Sequence, residues 1–419
     1  MCLCSTVYAQ QQQPNALAEA AELLQARRFE EAEAATRKFL NTNPKNADAR
    51  ALLALILDQR GQQSEAEREY QAALKLKPNH VSALSNFGVF LARTNRPAEA
   101  IAKFEEVLRI DPAHPRAIFN LGALYAARGD YGRAVPLLEK AAGTPACKRD
   151  VRESSDRALL LTLVNAYVHV ERRQDALELA SCLEETSAND ARALFTLGLS
   201  LAEAHEYAEA VRLFQRTNEL RPQTYEVVYN LGLALYNLDR LAEAQEALTT
   251  AATLAPAEAD PFYRLGLVAS AQGDTKAALT HWAKALELRA VFPEVNFMIG
   301  EELLKNRLAE KSIPFYERAL DQSKGQMVYY LRLGVANVRG QRYERAREIF
   351  TRALERYPEN SNLYFLLGYT ARAEGQYDQA VAAFQKVLKL QPDNPDALSN
   401  LGYIASQRGE HVEAERMLR

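Results

Sequence analysis

The side chains best suited to catalysis or metal binding are six histidines (His80, His114, His169, His205, His281 and His411), four cysteines and an ample supply of Asp and Glu. A metal site needs several such ligands at close spacing, as a His-Glu-x-x-His helix or paired Cys-x-x-Cys motifs provide. The histidines instead stand singly, and His80 and His114 are 34 residues apart, a repeat interval and not a ligand spacing. Cys2 and Cys4 form only a Cys-x-Cys pair, a weak metal signal, while Cys147 and Cys182 read as a loop thiol and an ordinary buried thiol. No Gly-x-Ser-x-Gly elbow, P-loop or Rossmann glycine pattern occurs. The carboxylates read as solvated helix faces. These residues predict a chain with no catalytic centre, no cofactor and no metal.

The elements that hold them repeat. Residues 361–394, SNLYFLLGYTARAEGQYDQAVAAFQKVLKLQPDN, read as two amphipathic helices around Gly375-Gln376, the second closed by Pro392. With Ser361 as position 1, position 8 recurs every 34 residues as Gly198, Gly232, Gly266, Gly300, Gly334, Gly368 and Gly402. Val164 occupies it once. Upstream of residue 157 the phase slips by eight residues, and Gly122, Gly88, Ala54 and Ala20 continue the series. Position 20 is Ala in eleven repeats, from Ala32 to Ala414, and Ser312 in the other. This pattern of a large residue, Leu-Gly, Tyr, then Ala, an aromatic and Pro resembles the tetratricopeptide repeat, over residues 13 to 419.

A glycine inside a helix costs about 1 kcal/mol relative to alanine. Its recurrence at position 8 therefore predicts a close helix crossing, with position 20 of the second helix facing it, so that Gly266 lies against Ala278. Apolar residues at positions 4, 7, 11, 24, 27 and 28 interlock within and between repeats. One helix pair cannot bury its apolar face alone, which predicts an all-α solenoid. The resemblance implies a right-handed superhelix of about twelve helix-turn-helix repeats, with a concave groove lined by the first helices. The expected organisation is a leader at 1–12, repeats one to four at 13–148, an inserted turn at 149–156, and repeats five to twelve at 157–419. Gly143 ends the second helix of repeat four early. Pro136 and Pro314 predict mild kinks, and Pro97 sits in a first turn, where proline is tolerated. Repeat twelve stops at position 25, which suggests an uncapped end open to self-association, or a following domain.

With 48% hydrophobic residues, 25% charged residues and a net charge of −3, bulk charge gives no reason to expect a nucleic-acid partner. No apolar run reaches 18 residues, so no membrane-inserted helix is expected. Val7-Tyr8-Ala9 before Gln10 looks like a signal-peptidase site, yet the leader lacks Lys and Arg. Of the two readings, an exported (periplasmic or secreted) protein whose start lies upstream is favoured over a cytosolic tail.

Positions 2, 5, 6, 9, 12 and 13 of the first helices point away from the packing face, and the resemblance makes them the groove. Position 5 is aromatic at Phe119, Phe195, Tyr229, Tyr263, Phe297 and Phe365, with Tyr236, Tyr369 and Tyr403 on the same surface. Position 6 is Asn86, Asn120, Asn230 and Asn400. An asparagine amide can bond both the N–H and the C=O of an extended peptide. In the repeat region of O-linked N-acetylglucosamine transferases, which this face resembles, such asparagines form a ladder. Here it is broken by Thr162, Thr196, Arg264, Met298, Arg332 and Leu366. Tyr or Asn before Leu-Gly is also the commonest choice of the family, with or without a ligand. Position 5 is never Lys, so the carboxylate clamp of chaperone-binding repeats is not expected. Two functions follow from the resemblance. One is a non-catalytic scaffold holding a protein or extended peptide. The other is the repeat region of a larger enzyme, of glycosyltransferase or peptidase type, whose catalytic domain lies elsewhere.

Overall fold

The computed structural model describes residues 17–143, 154–323 and 325–418, and every regular element among them is a helix. They form an all-α repeat solenoid of helix pairs. First helices begin at position 1 of the 34-residue register, as in Ala47–Gln59, Tyr225–Asn237 and Ser361–Ala373. Second helices begin at position 17, as in Gln63–Leu76, Leu241–Leu254 and Tyr377–Leu390. The leader with its Val7-Tyr8-Ala9 site, the three cysteines Cys2, Cys4 and Cys147, and residues 149–153 of the insertion lie outside the described residues. Residues 154–156 are helical and lengthen the first helix of repeat five, Ser154–His169.

The turn inside each pair has one geometry. Position 15 has positive φ in all twelve pairs, from Arg27 to Gly409, and is glycine in only five of them. The N–H of position 16 then reaches back to the carbonyl of position 11, as from Gln62 to Leu57, from Arg96 to Leu91 and from Gln376 to Ala371. That 6→1 bond is the Schellman closure, and it requires a left-handed residue. In several repeats position 34 caps the next first helix: the side chains of Asn46, Asn360 and Asn394 accept from Ala49, Leu363 and Ala397 N–H at 2.9, 3.1 and 2.9 Å. His114 does the same through Nδ1 at 3.1 Å from Ala117 N–H, which accounts for one of the lone histidines. The second helix of repeat four ends at Ala142, with Gly143 at φ 73°. Helices Tyr131–Ala142 and Ala309–Gln322 continue through Pro136 and Pro314.

The glycines at position 8 do make room for a second helix, but their partner is not position 20. A Cβ built on Gly88, Gly198, Gly300 or Gly368 would lie 2.7–2.8 Å from Phe104, Phe214, Tyr316 and Phe384 respectively. Gly266 would meet Trp282 Nε1 at 2.2 Å, and Gly334 would meet Phe350 at 2.1 Å. Gly122 and Gly232 face Leu138 and Leu248. All eight partners stand at position 24. The expectation that Gly266 lies against Ala278 is thus corrected. Position 20 is small because its own helix backbone approaches the crossing, seen in the Ala244 carbonyl 3.4 Å from a Gly232 Cβ. The position-20 residues are themselves buried. Where position 8 is larger the partner varies: Val164 stands with Ala180 at position 24 and Ala20 with Thr36, whereas Ala54 stands in a repeat whose position 24 is the buried Tyr70.

The chain divides into two compact units, Met1–Arg221 and Pro222–Arg419. In the first, Tyr70 stacks on Phe87 at 5.3 Å and lies 5.9 Å from Phe90, a packed aromatic seam between repeats two and three. Cys182 is half-buried and disulfide-bonded. This corrects its reading as an ordinary buried thiol. Position 26 lies beside the buried Ala180 and Leu183 without turning inward itself. In the second unit, Trp282, Tyr316, Phe350 and Phe384 are fully buried and anchor three successive apolar clusters. Not every carboxylate is solvated, contrary to the sequence reading. Asp58 pairs with Arg93, Glu206 with Arg173, and Glu302 is 3% exposed within a hydroxyl network.

Candidate peptide-binding surface

In the second unit the first helices bury positions 3, 8 and 10, as Val227, Gly232 and Ala234 illustrate, and leave positions 2 and 13 largely in water. Most of the sequence-predicted aromatics lie between these limits. Phe297 is half-buried, with ring centroids 5.8 Å from Tyr316 and 5.1 Å from Tyr329. Phe365 leans on Phe384 at 5.6 Å, and in the first unit Phe195 leans on Phe214 at 5.7 Å. Each such ring at position 5 rests on the ring at position 24 of its own repeat. Tyr263 packs 5.3 Å from Phe292, and its backbone carbonyl accepts the Trp282 indole N–H at 3.1 Å. Tyr229 stacks on Tyr225 at 5.6 Å, while Phe119 and Tyr236 are half-buried. One face of these rings serves the fold and the remainder reaches solvent.

Tyr369 and Tyr403 differ. They occupy position 9 of consecutive repeats and are 40% and 45% exposed. The Arg372 guanidinium lies between them, 5.2 and 5.1 Å from the two ring centroids. No carboxylate pairs with Arg372 among the described residues. A guanidinium over a ring face gains about 0.5–1 kcal/mol at an exposed site and keeps its in-plane N–H donors available. Arg264 sits 5.1 Å over Tyr263 in the same manner, its Nε buried without a partner. Arg332 is engaged elsewhere: it pairs with Glu301 at 3.1 Å, and Glu301 also accepts from the Tyr316 hydroxyl at 2.6 Å.

The asparagines commit one amide hydrogen internally. Asn120, Asn230 and Asn400 each donate to the carbonyl four residues back, on Arg116, Glu226 and Asp396, at 2.7 Å. The Oδ1 atom and the second hydrogen remain, and Asn400 Oδ1 is buried without a partner. Asn86 is half-buried on its own first helix in the first unit.

Two features of this unit are not anticipated by motif reading. Arg372 belongs to a position with no common residue type, and only its spacing from Tyr369 hints at a pair. Glu302 stands at position 10, where the neighbouring repeats carry Val268 and Ala336. A charge in an otherwise apolar column was the available signal. Glu302 accepts from Ser270 Oγ at 2.7 Å, from the Thr275 hydroxyl and from Asn306 Nδ2 at 3.2 Å. Burial raises the pKa of this carboxyl. The hydroxyl donors and Lys305, 3.9 Å away, outweigh that and hold it below the ordinary range. Among the described residues no group of three or more His, Cys, Asp or Glu side chains is placed to hold a metal ion, and no helix is long and apolar enough to cross a membrane.

Helix pairs on a 34-residue register, with a small residue at position 8 packed on position 24, define a helical-repeat solenoid. Family models described as tetratricopeptide repeat match residues 17–81, 58–115, 195–259 and 263–326. Others of the same description match 91–145, 349–382 and 329–360, and one described as TPR repeat matches 368–409. The chain belongs to the tetratricopeptide repeat family. Among solved structures it is similar to a chain of the APC/C hetero-tetramer Cut9-Hcn1, with 13% identity, 95% of this chain and 98% of that chain covered, and a TM-score of 0.39. It is similar to a chain of Naa15/Naa10 bound to HypK-THB, with 16% identity over 97% and 68% of the two chains and a TM-score of 0.39. A third is YrrB, a TPR protein with an unusual peptide-binding site, with 24% identity over 45% and 92% and a TM-score of 0.37. No curated protein matches the sequence.

Proposed function

We propose that this chain is a non-catalytic scaffold that holds a partner polypeptide on the first-helix face of residues 222–419. The observation that carries this reading is the exposed Tyr369–Arg372–Tyr403 cluster. Two large aromatic side chains from consecutive repeats stand in water, where burying them would stabilise the fold, and they bracket an arginine with no carboxylate partner among the described residues. Tyrosine and arginine are the residue types that dominate binding energy at interfaces, because they offer a rigid apolar area together with hydrogen-bonding groups. The half-buried rings of Tyr229, Tyr263, Phe297 and Phe365 extend the same face, with Arg264 and the amides of Asn230 and Asn400 as polar contacts. In the first unit Asn86, Phe119, Asn120 and Phe195 hold the corresponding positions. Repeats serving a catalytic domain, the other expectation, gain no support from the described residues.

The test separates binding from packing. Peptides selected from a displayed random library on the 419-residue chain are measured against Tyr369→Ala, Tyr403→Ala and Arg372→Ala. Each change is expected to weaken binding about tenfold or more, roughly 1.4 kcal/mol, with thermal melts unchanged. Phe297→Ala serves as the contrast: it removes a ring packed on Tyr316 and Tyr329 and lowers stability as well. Undiminished binding in all three exposed-site variants would remove the main support for this face as the site.

A further inference from the structure

The arginines of the second unit are not all treated alike. Several on second helices are taken up by carboxylates: Arg345 pairs with Glu348 at 2.7 Å and Arg347 with Glu374 at 3.2 Å. On the first-helix face the pattern reverses. Arg264, Arg339 and Arg372 have no ion-pair partner among the described residues, and Arg332 alone is engaged, by Glu301. Arg339 is exposed at position 13 of repeat ten, next along the face from Arg372 at position 12 of repeat eleven. Burial and the Glu301 bond raise the pKa of the Tyr316 hydroxyl, while the charges of Arg332 and Arg339 act the other way, which places Arg339 near the Arg332–Glu301 pair.

The carboxylates of this face gather elsewhere. Glu226, Glu294 and Asp396 are exposed at position 2, at the start of their helices. Ten helical residues separate position 2 from position 12, a rise of about 15 Å. One rim of the face is therefore acidic and the other basic. On the basic rim Arg372 is held by Tyr369 and Tyr403 together. Ring contacts occupy the faces of a guanidinium and leave its edge, where two parallel N–H groups match the two oxygens of a carboxylate. A side chain already held by two rings loses less freedom when that pair forms. Phosphate recognition relies on clustered arginines, whereas the unpaired arginines here stand singly, in separate repeats.

We propose that the partner polypeptide presents an acidic segment, one Asp or Glu side chain of which seats its carboxylate on the Arg372 guanidinium between Tyr369 and Tyr403, with a further carboxylate toward Arg339. The inference rests on the reading of this face as the binding surface and adds the chemistry of what it binds. Side-chain carboxylates are favoured over a chain terminus because the unpaired arginines recur along the unit, and a polypeptide has one terminus but many side chains. Charge complementarity of this kind sets which partner is accepted and which way it lies: the acidic residues face the Arg339–Arg372 rim, away from Glu294 and Asp396.

The test exchanges the charges. A random peptide library, displayed with its C-termini fused to the carrier so that no α-carboxylate is free, is selected on the 419-residue chain. The expected binders depend on Tyr369, are enriched in Asp and Glu, and weaken as salt screens the pair. Changing the critical Asp or Glu to its amide should cost at least tenfold in affinity. Arg372→Glu should reject the acidic peptides and accept versions carrying Lys at that place, a swap that an arginine serving only the fold would not produce. Melts of Arg372→Glu and Arg372→Gln should match the unaltered chain. Binders that need Tyr369 but show no acidic enrichment, and ignore both salt and Arg372→Glu, would overturn the acidic partner and leave the binding face standing. The absence of any binder sensitive to Tyr369→Ala, Tyr403→Ala or Arg372→Ala would remove both. Synthetic peptides complete the series: binding that requires a free C-terminus, or phosphoserine in place of Glu, would also overturn the proposal.

Discussion

Gly266→Leu is expected to unfold repeat eight. A Cβ alone would lie 2.2 Å from Trp282 Nε1, and the indole cannot retreat, because it is fully buried and bonded to the Tyr263 carbonyl. Overpacking typically costs about 1–3 kcal/mol and occasionally more. Here the upper end or beyond is expected, since relief requires moving one helix off the other. Repeat arrays sum local and nearest-neighbour terms, so the loss should appear first as faster amide exchange in residues 259–292. Trp282→Ala removes the obstruction but leaves a void, costing about 3–5 kcal/mol. The informative variant joins Gly266→Val to Trp282→Ala, the combination that Val164 and Ala180 form in repeat five. Its destabilisation should be clearly smaller than the sum of the two single changes, because each change relieves the other. Strict additivity in denaturant melts would mean that positions 8 and 24 do not share one volume.

The second large effect is at Glu302. Replacing it with alanine leaves the Ser270 and Thr275 hydroxyls and the Asn306 amide without their common acceptor, and hydrogen bonds to a charged group contribute about 1.5–3 kcal/mol each. Hydroxyls can turn to other acceptors, so a total loss of about 2–3 kcal/mol is expected. The pH dependence has a fixed sign. The folded carboxyl titrates below its unfolded value, so its contribution is present above the unfolded value and is lost as the pH falls through the folded one. Stability measured against pH in urea should therefore have a steeper acid limb in the wild-type chain than in Glu302→Gln. Parallel curves would place the carboxylate's charge outside the energetics of the network.

Most of the fold was legible in the sequence, because a helix pair is a local object. The glycine and alanine columns at positions 8 and 20 set the register, and the observed helices begin where it requires. What spacing alone concealed was the third dimension. Position 20 is nearly invariant and so draws attention, yet the residue that occupies the space beside Gly266 is Trp282, from a column whose members differ in shape. The same ring column explains why Phe297 and Phe365 are half-buried: a sequence names them as aromatic but not as resting on Tyr316 and Phe384. Tyr369 and Tyr403 could be placed on the outer face by helical spacing. Arg372 between them could not, because its guanidinium is positioned by two repeats at once.

The match between positions 8 and 24 also bears on how such an array can be reshuffled by recombination. Both members of each pair belong to one repeat, so duplicating or deleting a whole repeat carries the match along intact. A crossover within the turn that joins two helices would separate them. The first helix of repeat five joined to the second helix of repeat six would set Val164 against Phe214, and the reciprocal product would leave Gly198 beside Ala180 with a hole between them. One product is overpacked and the other hollow, and each loses stability by its own route. Exchange between genes of this kind is therefore expected to survive at the boundaries near position 34 and to be purged at position 15.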